Sequence, residues 1–203
     1  MSGKGFTRKQ RVYLGFKRFF DIFVSFFAII ILTPFLFLIG ILIMCTSRGP
    51  VLFKQKRVGK DKKVFRILKF RTMKVDAPEI PPSNLTKEQQ RDMLTNLGAF
   101  LRKTSIDELP QIYNIFIGQM SVIGPRPAAA TNEDDIIDER DKHFPNPNSL
   151  RPGLSGYAQT HGRNHEVQQK AEFDAFYTRN ISFALDTKIF FLTIRKLFLF
   201  EGS

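Results

Sequence analysis

Two adjacent carboxylates, Asp107 and Glu108, stand in the run Thr104-Ser105-Ile106-Asp107-Glu108-Leu109-Pro110-Gln111, where a helix should begin. Carboxylates so presented can act as a nucleophile or hold a cation. A plainer reading competes, because Ser105-x-x-Glu108 is itself a capping-box pattern and acids in a first turn complement the helix dipole. Pro110 argues for a start nearer Asp107, and backbone N–H groups exposed there would favour a phosphate. Gly124-Pro125-Arg126-Pro127 and Arg151-Pro152-Gly153 hold arginines on proline-framed loops. A planar guanidinium with a fixed backbone suits phosphate oxygens bidentately. One such loop usually only shapes a turn; two in a chain this small favour an anion site. The stretch 156–164 adds Gln159, His161 and Arg163 among glycines, but it is neither a Walker motif nor G-x-G-x-x-G.

The elements that must position these groups are short. Val51–Val58 and Lys63–Thr72 read as a β-hairpin turning at Gly59-Lys60-Asp61-Lys62. A Pro-rich loop follows at 76–84, then a capping box at Thr86-Lys87-Glu88-Gln89. That box opens a helix carrying Met93, Leu94, Leu97 and Leu101, which Gly98 is expected to break. A helix over 107–117 should end at Gly118. Residues 119–130 and 144–164 read as loops, and the polar helix near 132–142 as a solvated face. Glu166–Thr178 and Ser182–Phe200 are the last two helices. The final one has a broad apolar surface (Phe183, Ile189, Phe190, Ile194, Leu197, Phe198) with Asp186, Lys188, Arg195 and Lys196 on the remainder. That pattern fits a membrane-interface helix and a core helix equally well.

The 203 residues carry a net charge of +12, unevenly spread. Residues 1–74 hold 17 Lys/Arg against 2 acids (+15), and residues 75–203 hold 14 against 17 (−3). A single cysteine, Cys45, excludes an internal disulfide framework, and three histidines with one cysteine make a His-rich metal centre improbable. Ile22 to Cys45 is an uncharged run of 24 residues, about 36 Å as a straight helix and long enough to cross a bilayer core. It is too long for a signal peptide, and no small-residue cleavage site follows it. Thr33-Pro34 interrupts its middle, and both flanks are basic (Lys9, Arg11, Lys17, Arg18; then Arg48, Lys54, Lys56, Arg57). The positive-inside rule cannot satisfy both flanks with one span. A helix that bends at Thr33-Pro34 and returns through the same leaflet does so, with the Thr33 hydroxyl bonding a freed carbonyl; a kinked transmembrane helix is the alternative.

Lys17-Arg18-x-x-Asp21, the apolar run with its central proline, Leu68-Lys69-Phe70-Arg71-Thr72-Met73, Arg102 with Ser105–Gln111, Met120–Pro127, Arg151-Pro152-Gly153 and Gly162-Arg163-Asn164 occur in that order. The ordered set, over roughly residues 15–195, resembles the monotopic phosphoglycosyl transferases, the bacterial sugar transferase family. The resemblance implies transfer of a phosphosugar from a UDP-sugar to polyprenol phosphate, usually undecaprenyl phosphate, at the cytoplasmic face of the bacterial inner membrane. UMP leaves, and the lipid-linked product begins a glycan. By that likeness Asp107 is the nucleophile of a covalent phosphosugar intermediate and Glu108 its partner at a required Mg²⁺. Lys69, Arg102, Arg126, Arg151, Gln159 and Arg163 fall at substrate or phosphate positions, and the membrane helix is re-entrant.

The expected fold is therefore α+β. A basic N-terminus and re-entrant helix (1–48) precede a helix-rich single catalytic domain (49–203) with a small β-hairpin and interfacial amphipathic helices. Anionic lipid is an expected partner for the +15 N-terminal third, a homodimer is compatible with the reading, and nucleic acid is not expected, since no binding motif is present. Two departures stand out. The family usually has Ser-Pro at the bend, against Thr33-Pro34, and Gly-Asp-Met where this chain has Gly118-Gln119-Met120. Relative to longer members the chain reads as a minimal catalytic unit. The rival from another class is a non-enzymatic, membrane-anchored basic protein that binds anionic lipid or nucleic acid. Neither the sugar nor the glycan pathway is legible.

Overall fold

The computed structural model describes residues 5–75, 77, 86–131, 133–161 and 166–198. Most of the Pro-rich loop at 76–84 and the whole of Gly162-Arg163-Asn164 lie outside them, so the candidate Arg163 is not placed. The fold is α+β, as expected from the sequence.

The first helix, α1 (Arg8–Thr46), opens on a capping box in which the Thr7 side chain accepts from the Gln10 backbone N–H and the Gln10 side chain accepts from Thr7 N. It continues as α-helix through Pro34. The Thr33 hydroxyl donates to the Ile29 carbonyl (2.6 Å) and meets the Tyr113 hydroxyl (3.0 Å). Length and composition suffice to cross a membrane, and only 22% of its most apolar window is buried. The buried positions lie on both sides of the proline: Asp21 and Ser25 before it, Leu36, Ile39, Gly40 and Ile43 after it.

The hairpin forms from β1 (Leu52–Val58) and β2 (Val64–Phe70), paired antiparallel with Lys69 opposite Phe53. Period-two alternation buries Phe65 and Ile67 in one cluster, and Phe70, outside that alternation, is buried in another. The second capping box is present at Thr86 and Gln89, but its helix, α2 (Lys87–Asp92), is only one element of two. The break comes at Met93–Thr95 instead of Gly98. Thr95 caps a new helix, α3 (Asn96–Lys103), by accepting from Gly98 N at 2.9 Å. Gly98 is there for space, since a Cβ on it would stand 2.0 Å from the Thr72 carbonyl oxygen.

The helix expected over 107–117 is split. Ile106–Glu108 form a single 3₁₀ turn, and α4 proper is Gln111–Phe116, ended by Gly118 at φ +91°. Residues i and i+3 eclipse in a 3₁₀ turn. Ile106 and Leu109 thus pack together against the cluster of Leu36, Ile39, Ile43, Phe70, Leu101 and Ile112, leaving Asp107 and Glu108 off that face.

The stretches expected as loops contain a second sheet. β3 (Ser121–Ile123) and β4 (Gly153–Ser155) pair in parallel, which sets the Gly124-Pro125-Arg126-Pro127 and Arg151-Pro152-Gly153 turns backbone to backbone. Gly153 N donates to Pro125 O (2.8 Å) and Gly124 N to Ser155 O (2.9 Å). A Cβ on Gly153 would meet Gly124 N at 2.1 Å, so glycine is what permits the stacking. Strands of three residues are too short to carry a readable alternation, which is why the sequence reads them as loops.

α5 (Asp134–Asp141) is not only a solvated face. Ile136, Ile137 and Arg140 are buried, and Arg140 pairs with buried Asp174 of α7 (Val167–Arg179) at 2.6 Å. α6 (Tyr157–Thr160) and α8 (Phe183–Phe198) complete the domain. The last helix has a core side and an exposed apolar side: Ile189 is fully buried, whereas Phe183, Phe190 and Phe191 are exposed. Asp186, expected on its polar side, is buried instead, because it accepts from Tyr13, Lys17 and Tyr177.

Candidate active site

The 3₁₀ turn carrying Asp107 and Glu108 is not a helix cap. Ser105 has φ +55° and its side chain makes no capping hydrogen bond. The Glu108 carboxylate accepts from Lys69 Nζ at 2.6 Å, across from β2. The capping-box explanation of Ser105-x-x-Glu108 is therefore excluded by geometry. A left-handed serine costs on the order of 1 kcal/mol or more, and what it secures is the orientation of the two acids.

Asp107 is only 8% exposed. Burial, with the Glu108 carboxylate as second cause, pushes its pKa up from 3.8 to about 6, against the pull of Lys69, Arg102 and a backbone N–H. A carboxylate held out of water between two cations and beside another carboxylate has lost much of the hydration that would make it inert, yet it ionises near neutrality. Arg102 is fixed from α3, with Nε donating to the buried Thr72 hydroxyl at 2.9 Å.

Next to the dyad lies a small cleft walled by Lys69, Glu108, Gln111, Arg126, Gln159 and a residue that sequence reasoning missed, Arg57. In the sequence Arg57 stands only as part of a basic flank. Its Nη1 donates to Pro127 O (3.0 Å), its Nη2 to Gln55 (2.6 Å), and Glu133 is 3.6 Å away. Burial, then the neighbouring Arg126, lower its pKa, opposed by Glu133 and Glu108. Among the described residues, Arg57 Nε and Gln159 Oε1 are buried without a hydrogen-bond partner. No spacing signal distinguishes Arg57 from its basic neighbours; only the bridge between Arg57 and Ala129 brings it to the Arg126 loop.

The backbone of that loop is held from behind, since Arg140 donates to the Arg126 carbonyl at 2.9 Å while Asp174 neutralises it. Burial raises the Asp174 pKa, and Arg140 counters it. Arg151 is not among the cleft walls. Its Nε donates to Gly118 O (2.9 Å), near Arg18, whose two Nη atoms donate to Ile115 O (2.7 Å) and Phe116 O (2.9 Å). Both arginines thus close the carbonyl end of α4, whose other end follows the dyad. Gln119, where the family usually has an acid, is engaged structurally. It accepts from Asn114 Nδ2 (2.7 Å), and buried Asn114 ties Leu68 N and Arg66 O of β2 to α4.

Among the described residues no cluster of three or more His, Cys, Asp or Glu side chains could hold a metal. Two neighbouring carboxylates, one opening on the cleft, are nevertheless the donor set that suits Mg²⁺, which commonly takes one or two carboxylates and completes its shell with water and substrate phosphates.

Comparison with known proteins finds the bacterial sugar transferase family model matching residues 12–200. The chain is 39% identical over 194 residues to a UDP-glucose:undecaprenyl-phosphate glucose-1-phosphate transferase of Klebsiella pneumoniae, with 93% of this chain covered and 41% of that protein. It is 39% identical to a UDP-N-acetylgalactosamine-undecaprenyl-phosphate N-acetylgalactosaminephosphotransferase of Aeromonas hydrophila, covering 92% of this chain and 44% of the other. An exopolysaccharide production protein of Rhizobium leguminosarum bv. phaseoli is 37% identical, over 88% of this chain and 92% of its own length. The chain thus spans about two fifths of the two enzymes whose names state a reaction, and nearly all of the third.

Proposed function

The chain belongs to the bacterial sugar transferase family, and from that premise we propose that it transfers a phosphosugar from a UDP-sugar to polyprenol (undecaprenyl) phosphate by way of a covalent intermediate on Asp107. The observation that carries this is the uncapped 3₁₀ turn. It holds a buried carboxylate of raised pKa beside Lys69, Arg102 and a cationic cleft, an arrangement that stabilises no helix and suits attack on phosphorus.

In the first step an Asp107 oxygen forms a bond to the sugar-bearing phosphorus of the UDP-sugar. The P–O bond to UMP breaks and its electron pair leaves with UMP. In the second, a phosphate oxygen of the lipid attacks the same phosphorus and returns Asp107 as a carboxylate, leaving a polyprenyl-diphosphate sugar. An anion attacks a diphosphate only where repulsion is neutralised. Arg57, Arg126 and Lys69 supply fixed positive charge in the cleft, and Lys69 also orients Glu108. Glu108, with Asp107 beside it, would hold Mg²⁺, which when bound neutralises diphosphate charge. The relatives' names state different sugars, and the sugar taken by this chain is left to experiment.

The membrane reading is a monotopic one, at the cytoplasmic face of the inner membrane. Residues on both sides of Pro34 dock on the one domain, Asp21 through Val122 N (3.0 Å) and Ile43 through the core around Phe70 and Ile112. A helix crossing the bilayer would carry one of those halves away from it. With Cys45 replaced by Ser, cysteines at Gly5 and Lys60 should both be labelled only from the cytoplasmic side; labelling at Gly5 from outside would establish a span.

The test of the reaction is UMP release from a panel of UDP-sugars by detergent-solubilised protein with polyprenol phosphate and Mg²⁺. One sugar should give turnover that chelation abolishes. Without the lipid, one phosphosugar should be recovered on the Asp107 peptide by mass. Turnover with no adduct at Asp107 would end the covalent mechanism, and no UMP release from any sugar would return the chain to the membrane-anchored binding class.

A further inference from the structure

A second cationic cavity, of about 400 Å³, lies where α1 leaves its apolar run, between Ser47-Arg48-Gly49 and the segment that follows β2. Its walls include Arg48, Arg71, Lys74 and Thr95, and it shares no wall residue with the cleft beside the dyad. Among the described residues, three cations and no carboxylate line it.

Arg71 is the unusual group. It belongs to the Lys69–Met73 segment, where Lys69 has a task at Glu108 and Arg71 has none there. The residue is 7% exposed. Its Nη2 donates to Ser47 O (2.8 Å) and to the Ser47 hydroxyl, and its backbone N–H to Val51 O (2.9 Å). These contacts hold the plane of the guanidinium at the end of α1 but use only one of its three nitrogens. Nε and Nη1 are buried and find no partner among the described residues. Burying a charged donor unpaired is costly, so an arginine fixed this firmly at a cavity wall, with two nitrogens unsatisfied, is a group awaiting an acceptor. Gly49, at φ +113°, closes over it so tightly that a Cβ there would lie 2.2 Å from Nη1; the approach of guanidinium to backbone is part of the build. The acceptor that fits is anionic and multidentate, because Arg48 and Lys74 line the same space.

We propose that this cavity is a phosphate site, separate from the catalytic cleft, that takes a phosphate group at the level where the membrane helix ends. Exposed Leu42 and Met44 lie on the turn just before it, which sets the cavity at the depth of lipid headgroups. A phospholipid headgroup and free inorganic phosphate offer the same oxygens, and the two sources are separable by experiment.

The experiment is native mass spectrometry of the detergent-solubilised full chain, with phosphatidylglycerol or inorganic phosphate as the probe. Wild type should retain one phosphate-bearing adduct, and Arg126→Ala, which weakens the cleft alone, should retain it equally. The double variant Arg48→Ala/Lys74→Ala, at two exposed wall positions, should lower its occupancy at least fivefold. Arg71→Lys, which keeps the charge and a donor for Ser47 but loses the fork, should lower it as well. An adduct with phosphatidylglycerol that excess inorganic phosphate does not displace assigns the site to lipid; displacement, or an adduct with phosphate alone, assigns it to the free ion. No adduct with either probe, equal occupancy in wild type and the Arg48/Lys74 double variant, or loss in Arg126→Ala would overturn the proposal. Turnover is not read, so the outcome is independent of the transferase reaction.

Discussion

The surface where α1 docks and the cleft beside the dyad are built from the same residue types and handle charge in opposite ways. At the dock, Lys17 donates to Asp186 (2.6 Å), Arg18 takes the two carbonyls at the end of α4, and Asp21 accepts from Val122 N. Asp186 in turn accepts from two tyrosines, and both phenol pKa values rise, first by burial and then by its carboxylate. At the cleft a carboxylate sits at raised pKa, a serine is left-handed, and two buried polar atoms lack partners among the described residues. Satisfied charge holds a helix to a domain; unsatisfied charge stores affinity for something absent. Lys17-Arg18-x-x-Asp21 therefore belongs to architecture and Ser105–Glu108 to the proposed chemistry, although each looks like a short charged motif in the sequence.

The difference is broken most severely at Asp107. Asp107→Asn should lower UMP release by a factor of about 10³ or more, because an amide cannot form the acyl phosphate. The same variant should be more stable than wild type at pH 7. The native carboxyl titrates near 6 against 3.8 for its ordinary value, so the folded state binds more protons between those limits. Wild-type stability is then fully kept below about pH 4 and is lost as pH rises through about 6. Denaturation without divalent cations should show an advantage for Asn on the order of 1–3 kcal/mol at pH 7, fading to nothing at pH 4. A variant less stable than wild type at pH 7 would make Asp107 a structural group.

The opposite pattern is expected at the dock. Asp186→Ala strands Lys17, the half-buried Tyr13 phenol and the buried Tyr177 phenol, and should cost about 3–5 kcal/mol of stability, with turnover per folded molecule within about twofold of wild type. A selective loss of turnover there would blur the two regions. Arg126→Lys keeps a charge in the cleft but loses the planar fork, and should lower turnover about tenfold or more with little change in stability. Full turnover would mean that charge alone suffices. The smallest effect is expected at Ser105, where Ser105→Gly relieves the positive φ. It should add about 1 kcal/mol of stability and leave the rate nearly unchanged. A loss of stability would show that the serine side chain does work its hydrogen bonds do not reveal.

Local signals were legible where local physics decides. The hairpin over 51–72, the Thr86–Gln89 capping box, Gly118 as a helix end and the apolar length of α1 are each set by residues within a few positions of one another. The two interpretations of Ser105-x-x-Glu108 were equally local, and the sequence could not choose between them. The choice was made by Lys69, 39 residues upstream, which takes the Glu108 carboxylate that a cap would have used.

What the sequence by itself determined is the kind of chemistry: adjacent acids, arginines on rigid loops, a basic apolar N-terminus and an order of motifs that identifies the family. What only the tertiary structure decided is which of those charges meet. The parallel pairing of β3 with β4 joins two arginine loops, yet turns Arg126 toward the cleft and leaves Arg151 on α4. Packing of α5 on α7 converts an apparently solvated Arg140 into the support of the Arg126 loop, and the β1 edge recruits Arg57. Charge is a property of one residue, whereas its satisfaction depends on partners brought in from anywhere along the chain, and the energetics of a buried ion are set by those partners.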